Sequence, residues 1–384
     1  MASKTVLVLG GGIGGIVAAR RLRSKLSSEH RVVLVDRSAN YAFAPSFPWL
    51  VMGWRSPQQI SRPLASLRKR GIEVITGEVA RIDLASRVVA VDSKEVPYDH
   101  LVVSLGAELA PAAVPGLPEA AHTFYDLQGA ESLRKVLEGF GSGSVAIVIA
   151  KLPFTCPAAP YEGAFLLDYL FRKKGTRSKI DIQVFTPETL PMPVAGPVIG
   201  GALKGMLVGR AIGFNPNAVL SSVDAGERKM VFEDGRTAQF DLLIAVPPHE
   251  SPRVVRESGL AAESGWVPVD SRTLATQHEG VYAVGDVTAV KLPSGLMLPK
   301  AGVFAHGQAE VVAENIAAEI GGGRGGRQFD GDGSCFIETG YGKAAYGSGR
   351  FYAEPTPAVK LHEPGRRWHW GRRLFEWSWL RRWF

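Results

Sequence analysis

The sequence predicts an α/β protein of two parallel-sheet domains, one inserted in the other, followed by a C-terminal segment of different character. Three observations predict it: a glycine-rich turn between a strand and a helix near the start, a second copy of that strand pattern mid-chain, and tryptophan interleaved with arginine at the end. A length of 384 residues suits two or three domains. With 46% hydrophobic and 21% charged residues and no low-complexity tract, the chain reads as globular.

Thr5–Leu9 is an apolar β-branched run, Ile16–Leu26 has helical spacing, and Arg31–Val35 is the next strand, which makes a βαβ unit. Strands follow near Glu73–Ile75, Glu78–Ile82 and Arg87–Val91. The segment closes on a buried strand within Tyr98–Gly106. The pattern then recurs as strand Ser144–Ala150, helix Gly163–Lys173 and strand Ile180–Phe185, with Ala218–Val223, Lys229–Glu233 and Phe240–Val246 behind them. The chain returns to the first domain at Gly280–Asp286. This internal repeat implies two Rossmann-like domains of the glutathione-reductase type, the second inserted in the first. Residues 1–113 and 268–330 are assigned to the first domain, 114–267 to the second, and 331–384 to the C-terminal region.

Gly10, Gly12 and Gly15 follow the first strand and open a helix. The first permits a tight turn, the second lets backbone approach a pyrophosphate, and the third allows close helix–strand packing. Asp36 ends the second strand, where an acid accepts hydrogen bonds from ribose hydroxyls. Ile13, Gly14, Arg37, Ser46, Val79 and Gly106 are the neighbouring positions expected to contact the dinucleotide. The second domain lacks such a loop: Lys151–Pro160 puts three prolines, bulky side chains and Cys156 where backbone N–H groups would cradle phosphates. A nicotinamide dinucleotide is therefore not expected as electron donor.

The only cysteines, Cys156 and Cys335, form no CxxC pair, which sets aside zinc and thioredoxin-type readings. By count alone they are inert thiols; their context points elsewhere. Gly285–Asp286 resembles the second flavin fingerprint of the two-dinucleotide-binding-domain flavoproteins, where the Asp meets the ribityl chain. More widely the chain resembles the sulfide:quinone oxidoreductases and their relative, the flavoprotein subunit of flavocytochrome c sulfide dehydrogenase. Four stretches carry the likeness: FAPSFPWLVMGW (Phe43–Trp54), CPAAPYE (Cys156–Glu162), GDVTA to LPKAG (Gly285–Gly302) and SCFIETG (Ser334–Gly340).

The resemblance implies FAD, with Gly285, Asp286 and Lys300 beside it, and a redox pair of Cys156 and Cys335. In the family sulfide adds to a bridge between two cysteines and sulfur is retained as persulfide. A thiolate then passes electrons through the flavin to quinone, leaving polysulfide sulfur. Cys156 would receive sulfide and Cys335 would face the flavin. Glu162 matches the family's acid and would shuttle protons, or else merely faces a helix dipole. Lys300 would stabilise reduced flavin, or else is a plain surface lysine. Phe304, Tyr341 and Phe351, close in sequence to these motifs, are expected at the quinone.

The departures are informative. His122–Gln128 holds no cysteine where well-known bacterial members carry a third. Ala44 stands near the position of the covalent flavin tether of the flavocytochrome branch, so the FAD is expected to be noncovalent. Alternatives are a type II NADH dehydrogenase-like quinone reductase, which would need a second glycine-rich loop, a sulfide dehydrogenase serving a cytochrome, and a flavoprotein without catalysis.

No export signal is recognised, and the nearest spanning candidate, Pro193–Phe214, is broken by Lys204 and Arg210. Net charge is +7, and the tail concentrates the arginines among five tryptophans between Trp368 and Trp383. Such a segment suits anionic lipid, with Trp370, Leu374, Trp377 and Phe384 on one arc and Phe375, Trp379 and Trp383 opposite. A packed terminal helix or a nucleic-acid patch are the plainer readings; nucleic acid is not expected. The expectation is a peripheral, monotopic enzyme of the cell membrane, compatible with a homo-oligomer, that uses sulfide and quinone and needs no metal.

Overall fold

The computed structural model describes residues 3–384. The first half-sheet runs β1 (Thr5–Leu9), α1 (Ile13–Lys25), β2 (Arg31–Asp36), β3 (Glu73–Thr76) and β4 (His100–Val103), with a three-stranded antiparallel meander over Val79–Pro97 between the last two. The inserted part contributes β5 (Ala121–His122), β6 (Gly143–Ile149), α2 (Ala159–Lys174), β7 (Ile180–Phe185), β8 (Ile212–Asn215) and β9 (Leu242–Val246). The chain then returns as β10 (Val281–Ala283) and α3 (Gly302–Ile320).

Two five-stranded parallel sheets result, ordered β10-β4-β1-β2-β3 and β5-β9-β6-β7-β8. In both the strand that leads into the first turn lies centrally, flanked by the closing strand and the second strand. Parallel strands are buried on both faces, which is why β1 and β6 read as continuous apolar runs. Val6 and Val8 enter the core beneath the helices, while Leu7 and Leu9 point to the core under the meander. Val145 and Ile147 against Ala146 and Val148 repeat this division in the second sheet.

Helix α2 begins four residues before the expected Gly163. Pro160 sits at the second helical position, where a missing N–H costs nothing. Three features were not anticipated: helix Leu127–Gly139, helix Pro197–Val208, and an antiparallel sheet of β11 (Asp332–Gly340), β12 (Lys343–Arg350) and β13 (Ala358–Gly365). The chain ends in α4 (Arg366–Arg382), which packs on β12. Among the described residues no helix is long and apolar enough to cross a membrane.

The second sheet keeps an acid just beyond its second strand, as the first keeps Asp36, but closes it off. Glu188 is buried, and its Oε2 accepts hydrogen bonds from the Tyr161 hydroxyl and from Thr186 Oγ1 at 3.1 Å. Burial pushes its pKa up to about 7. An acid raised in the folded state stabilises the fold fully below its unfolded pKa of 4.5 and loses that contribution as pH climbs through about 7. This amounts to about 3 kcal/mol as an order of magnitude. Glu188→Gln is expected to flatten the fall in melting temperature between pH 4.5 and 8, followed by circular dichroism. An unchanged slope would place that titration elsewhere.

Candidate active site

A cavity of about 770 Å³ runs from the glycine turn to both cysteines, within the size range of cofactor sites. Gly12, Ile13 and Gly14 line one end with Asp36; Ser46, Gly106, Gly285 and Asp286 follow. Gly10 and Gly15 lie beneath the turn. Gly10 has φ +97°, and a Cβ on Gly15 would stand 1.8 Å from the Gly10 carbonyl oxygen, so both serve backbone packing. A Cβ on Gly12 or Gly106 would meet nothing within 4 Å; it would project into open space. Asp36 Oδ2 accepts the Gly11 N–H at 2.5 Å, bracing the turn from the end of β2.

Asp286 Oδ1 is buried with no partner, and burial raises that carboxyl while Lys300 opposes the rise. An orphaned acceptor at one end and an open glycine cradle at the other fit a flavin dinucleotide. Two expected contacts fall outside. Arg37 is exposed and pairs with Glu108 at 2.9 Å. Val79 is buried in the core under the meander.

At the other end, Cys156 precedes α2 in a left-handed conformation (φ +51°), and its N–H donates to the Lys300 carbonyl at 2.7 Å. Cys335 lies on β11, opposite Gly347 of β12. Both thiols are free and line the cavity. Burial pushes the Cys156 thiol well up; neighbouring Cys335 and Glu162 add to the rise, while Arg372 counters it. Burial likewise pushes Cys335 up to about 12, with Glu162 adding and Arg372 opposing.

Glu162 is buried in the first turn of α2. Its Oε2 accepts the Glu338 N–H at 3.2 Å and lies 2.7 Å from Arg372 Nη1, while Oε1 has no partner. Lys300 is neither a surface lysine nor free. Its ammonium donates to the Asp286 and Thr288 carbonyls at 2.6 and 3.0 Å and sits 3.5 Å from the centre of the Trp266 ring. Burial lowers its pKa to about 8 despite nearby Asp286. Backbone and side chain together make Lys300 a tie between the Cys156 loop and the Asp286 loop.

The expected quinone residues are not brought together. Phe304 and Phe351 touch (4.9 Å between centroids), but Tyr341 sits in the turn after β11, 52% exposed and packed on Tyr169. None of the three lines the cavity; Phe43, Phe336, Phe375 and Trp379 do. Tyr341 is six residues from Cys335, which along a strand is about 20 Å.

The tail supplies what sequence reasoning missed. On α4, Glu376 is buried and accepts from Ser46 Oγ at 2.5 Å and Arg55 Nη2 at 2.6 Å. His369 Nδ1 contacts the buried Glu338 carboxylate at 2.9 Å. His369, Arg372 and Glu376 recur at helical spacing, a polar stripe hidden among the more frequent arginines and tryptophans. His249 braces the cysteine loop, with Nε2 3.1 Å from Thr155 Oγ1, and burial lowers its pKa to about 4.

A sequence profile of the family described as pyridine nucleotide-disulphide oxidoreductase matches residues 4–309. The sulfide-quinone reductase of Aquifex aeolicus (strain VF5) is 30% identical over 83% of this chain and 77% of its own. The mitochondrial sulfide:quinone oxidoreductase of Mus musculus is 27% identical over 94% of this chain and 81% of its own. The crystal structure of the Aquifex aeolicus sulfide:quinone oxidoreductase superposes with a TM-score of 0.89 at 26% identity, covering 98% of this chain and 91% of that one.

The two glycines make separable demands. Gly15→Ala is expected to destabilise the fold by about 2 kcal/mol or more through its clash. Gly12→Val should fold normally yet purify with its flavin absorbance largely lost. Equal flavin content in Gly12→Val and wild type would contradict this assignment of the cradle.

Proposed function

We propose that this chain, which belongs to the pyridine nucleotide-disulphide oxidoreductase family and within it to the sulfide:quinone oxidoreductases, oxidises sulfide through Cys156 and Cys335 and delivers the electrons by way of FAD to a membrane quinone. The observation that carries this reading is that both cysteines lie in the cavity that begins at the glycine cradle. The FAD, held noncovalently with Ala44 near the covalent branch's tether position, supplies a two-electron relay when bound.

Sulfide meets the cysteines in their bridged form. Hydrosulfide attacks Cys156; the Cys156–Cys335 bond breaks, a sulfur–sulfur bond to Cys156 forms, and Cys335 leaves as thiolate. When neutral hydrogen sulfide arrives instead, the unpartnered Oε1 of Glu162 takes its proton. Across the whole reaction, hydrogen sulfide and quinone become zero-valent sulfur, kept as persulfide and extended to polysulfide, and quinol. Lys300 holds the Cys156 and Asp286 loops in register throughout.

The same reading places α4 on the membrane surface. Trp370, Leu374 and Trp377 are 61%, 62% and 52% exposed, and Arg373 and Arg381 stack on Trp370 and Trp377. Aromatic rings and arginine suit the headgroup layer of anionic lipid. Phe375 is exposed beside them and also lines the cavity, so quinone would enter along this edge, past Phe375 and Trp379. The sealed Glu188 and the prolines of the Cys156 loop argue against a nicotinamide donor.

Anaerobic sulfide is expected to bleach the flavin band of the purified protein, NADH is not, and a quinone analogue should restore it. Cys156→Ser and Cys335→Ser should each slow bleaching by ~100-fold or more while flavin content holds. Bleaching by NADH alone would overturn the proposal. Replacing Trp370, Leu374 and Trp377 by serine is expected to weaken binding to vesicles containing anionic phospholipid by ~10-fold or more. Undiminished binding would move the membrane face elsewhere.

A further inference from the structure

The inner face of α4 does more than hold the helix down. Arg372 is buried, stacks on Trp49 at 4.6 Å, donates Nη2 to the Pro45 carbonyl at 2.7 Å, and lines the cavity with both cysteines. Its Nη1 is ion-paired with Glu162 Oε2 at 2.7 Å, which leaves the second N–H of that nitrogen open, and Glu162 Oε1 beside it is unpartnered. Buried polar atoms left open on facing side chains of one cavity point to a ligand that supplies both a donor and an acceptor. The site next to the thiols thus presents one spare donor on a cation and one spare acceptor on an acid. A hydrosulfide ion has the matching pair, an anionic sulfur and one S–H.

Other cations near the cavity are committed. Lys300 is spent on two carbonyls and the Trp266 ring, and Arg55 on Glu376. Arg372 is therefore the cation placed to meet negative charge at the sulfurs. We propose that Arg372, carried by the terminal helix, binds the anionic sulfur species at the Cys156–Cys335 site with Glu162, so that sulfide oxidation requires α4 to be seated. The inference rests on the redox role proposed for the two cysteines.

Charges from four elements face this site: Glu162 of α2, Asp286 after β10, Glu338 of β11 paired with His369 of α4, and Arg372 itself. Glu162 disfavours a thiolate at both cysteines and Asp286 adds to this at Cys156, while Arg372 favours one at both. Removing the guanidinium leaves Glu162 unopposed, so Cys335 should ionise at higher pH, by about one unit or more. The stacked, forked guanidinium is not matched by an ammonium, so lysine should recover the charge effect but only part of the sulfide affinity.

The test uses flavin-loaded protein. In a Cys156→Ser background, where Cys335 is the only cysteine, the alkylation rate of Cys335 by iodoacetamide is measured at one mildly alkaline pH. Arg372→Met is expected to slow alkylation ~10-fold, the loss of thiolate that one unit of thiol pKa brings at such a pH, and Arg372→Lys to return most of it. With both cysteines present, Arg372→Met should raise the sulfide concentration for half-maximal flavin bleaching by ~10-fold or more. Should Arg372→Met fail to hold flavin, Arg372→Gln keeps a donor for Pro45 without the charge and is read in the same way. An unchanged alkylation rate with unchanged sulfide dependence would overturn the proposal. The alkylation arm needs no sulfide, so it still reads Arg372 if wild-type flavin proves inert to sulfide and the redox reading itself fails.

Discussion

The buried ion pair between Glu162 and Arg372 joins the start of α2 to the terminal helix at the thiol end of the cavity. Glu162 is fixed by α2, whose start is set by the turn leaving the second sheet. Arg372 comes from the last helix, after the antiparallel sheet has folded back over the cavity. A buried pair of this kind is weak evidence for stability, because desolvation offsets most of the attraction. Breaking it is different, since the surviving charge stays buried alone, at about 3–5 kcal/mol. The Glu376–Arg55–Ser46 and Glu338–His369 contacts extend the same constraint along α4. The helix is thereby fixed in rotation, with Arg372 and Glu376 inward and Trp370, Leu374 and Trp377 outward.

Two sheets of one topology have been put to different use. The first keeps a glycine turn at the end of its central strand and can hold a dinucleotide. The second ends its central strand in a proline-bearing turn around Cys156, and Tyr161 covers the acid beyond its second strand. The parallel sheet positions both turns at the carboxyl ends of their strands, where α/β folds place their ligands. The residues that differ at those turns and at the acid decide the use: a fold suited to two nucleotides offers one glycine cradle joined by a cavity to two thiols.

Much of this was legible in the sequence because it rests on local rules. Strand, glycine turn, helix and acid follow from spacing, and the two half-sheets from their repetition. Cys156, Glu162 and Cys335 were reached by resemblance, and all three line the cavity. What escaped depends on distant packing. Arg372 and Glu376 look like ordinary tail charges until the docking of α4 shows which side is buried. Lys300 lines the cavity, but the carbonyls that hold its ammonium come from Asp286 and Thr288, a folding detail no spacing reports. Phe304, Tyr341 and Phe351 were grouped by nearness in sequence. An extended strand carries Tyr341 away from Cys335 to the exposed turn.

The central claim is that Cys156 and Cys335 carry sulfur and electrons between sulfide and the flavin. Its most direct measurement is peptide mass spectrometry after anaerobic exposure of the oxidised enzyme to one equivalent of sulfide, with free thiols capped. One additional sulfur atom held at Cys156 is the expected result: as persulfide with Cys335 capped while the flavin is still oxidised, and as a bridge to an uncapped Cys335 once two electrons have passed to the flavin. Sulfide consumed and flavin reduced with neither cysteine modified would contradict it.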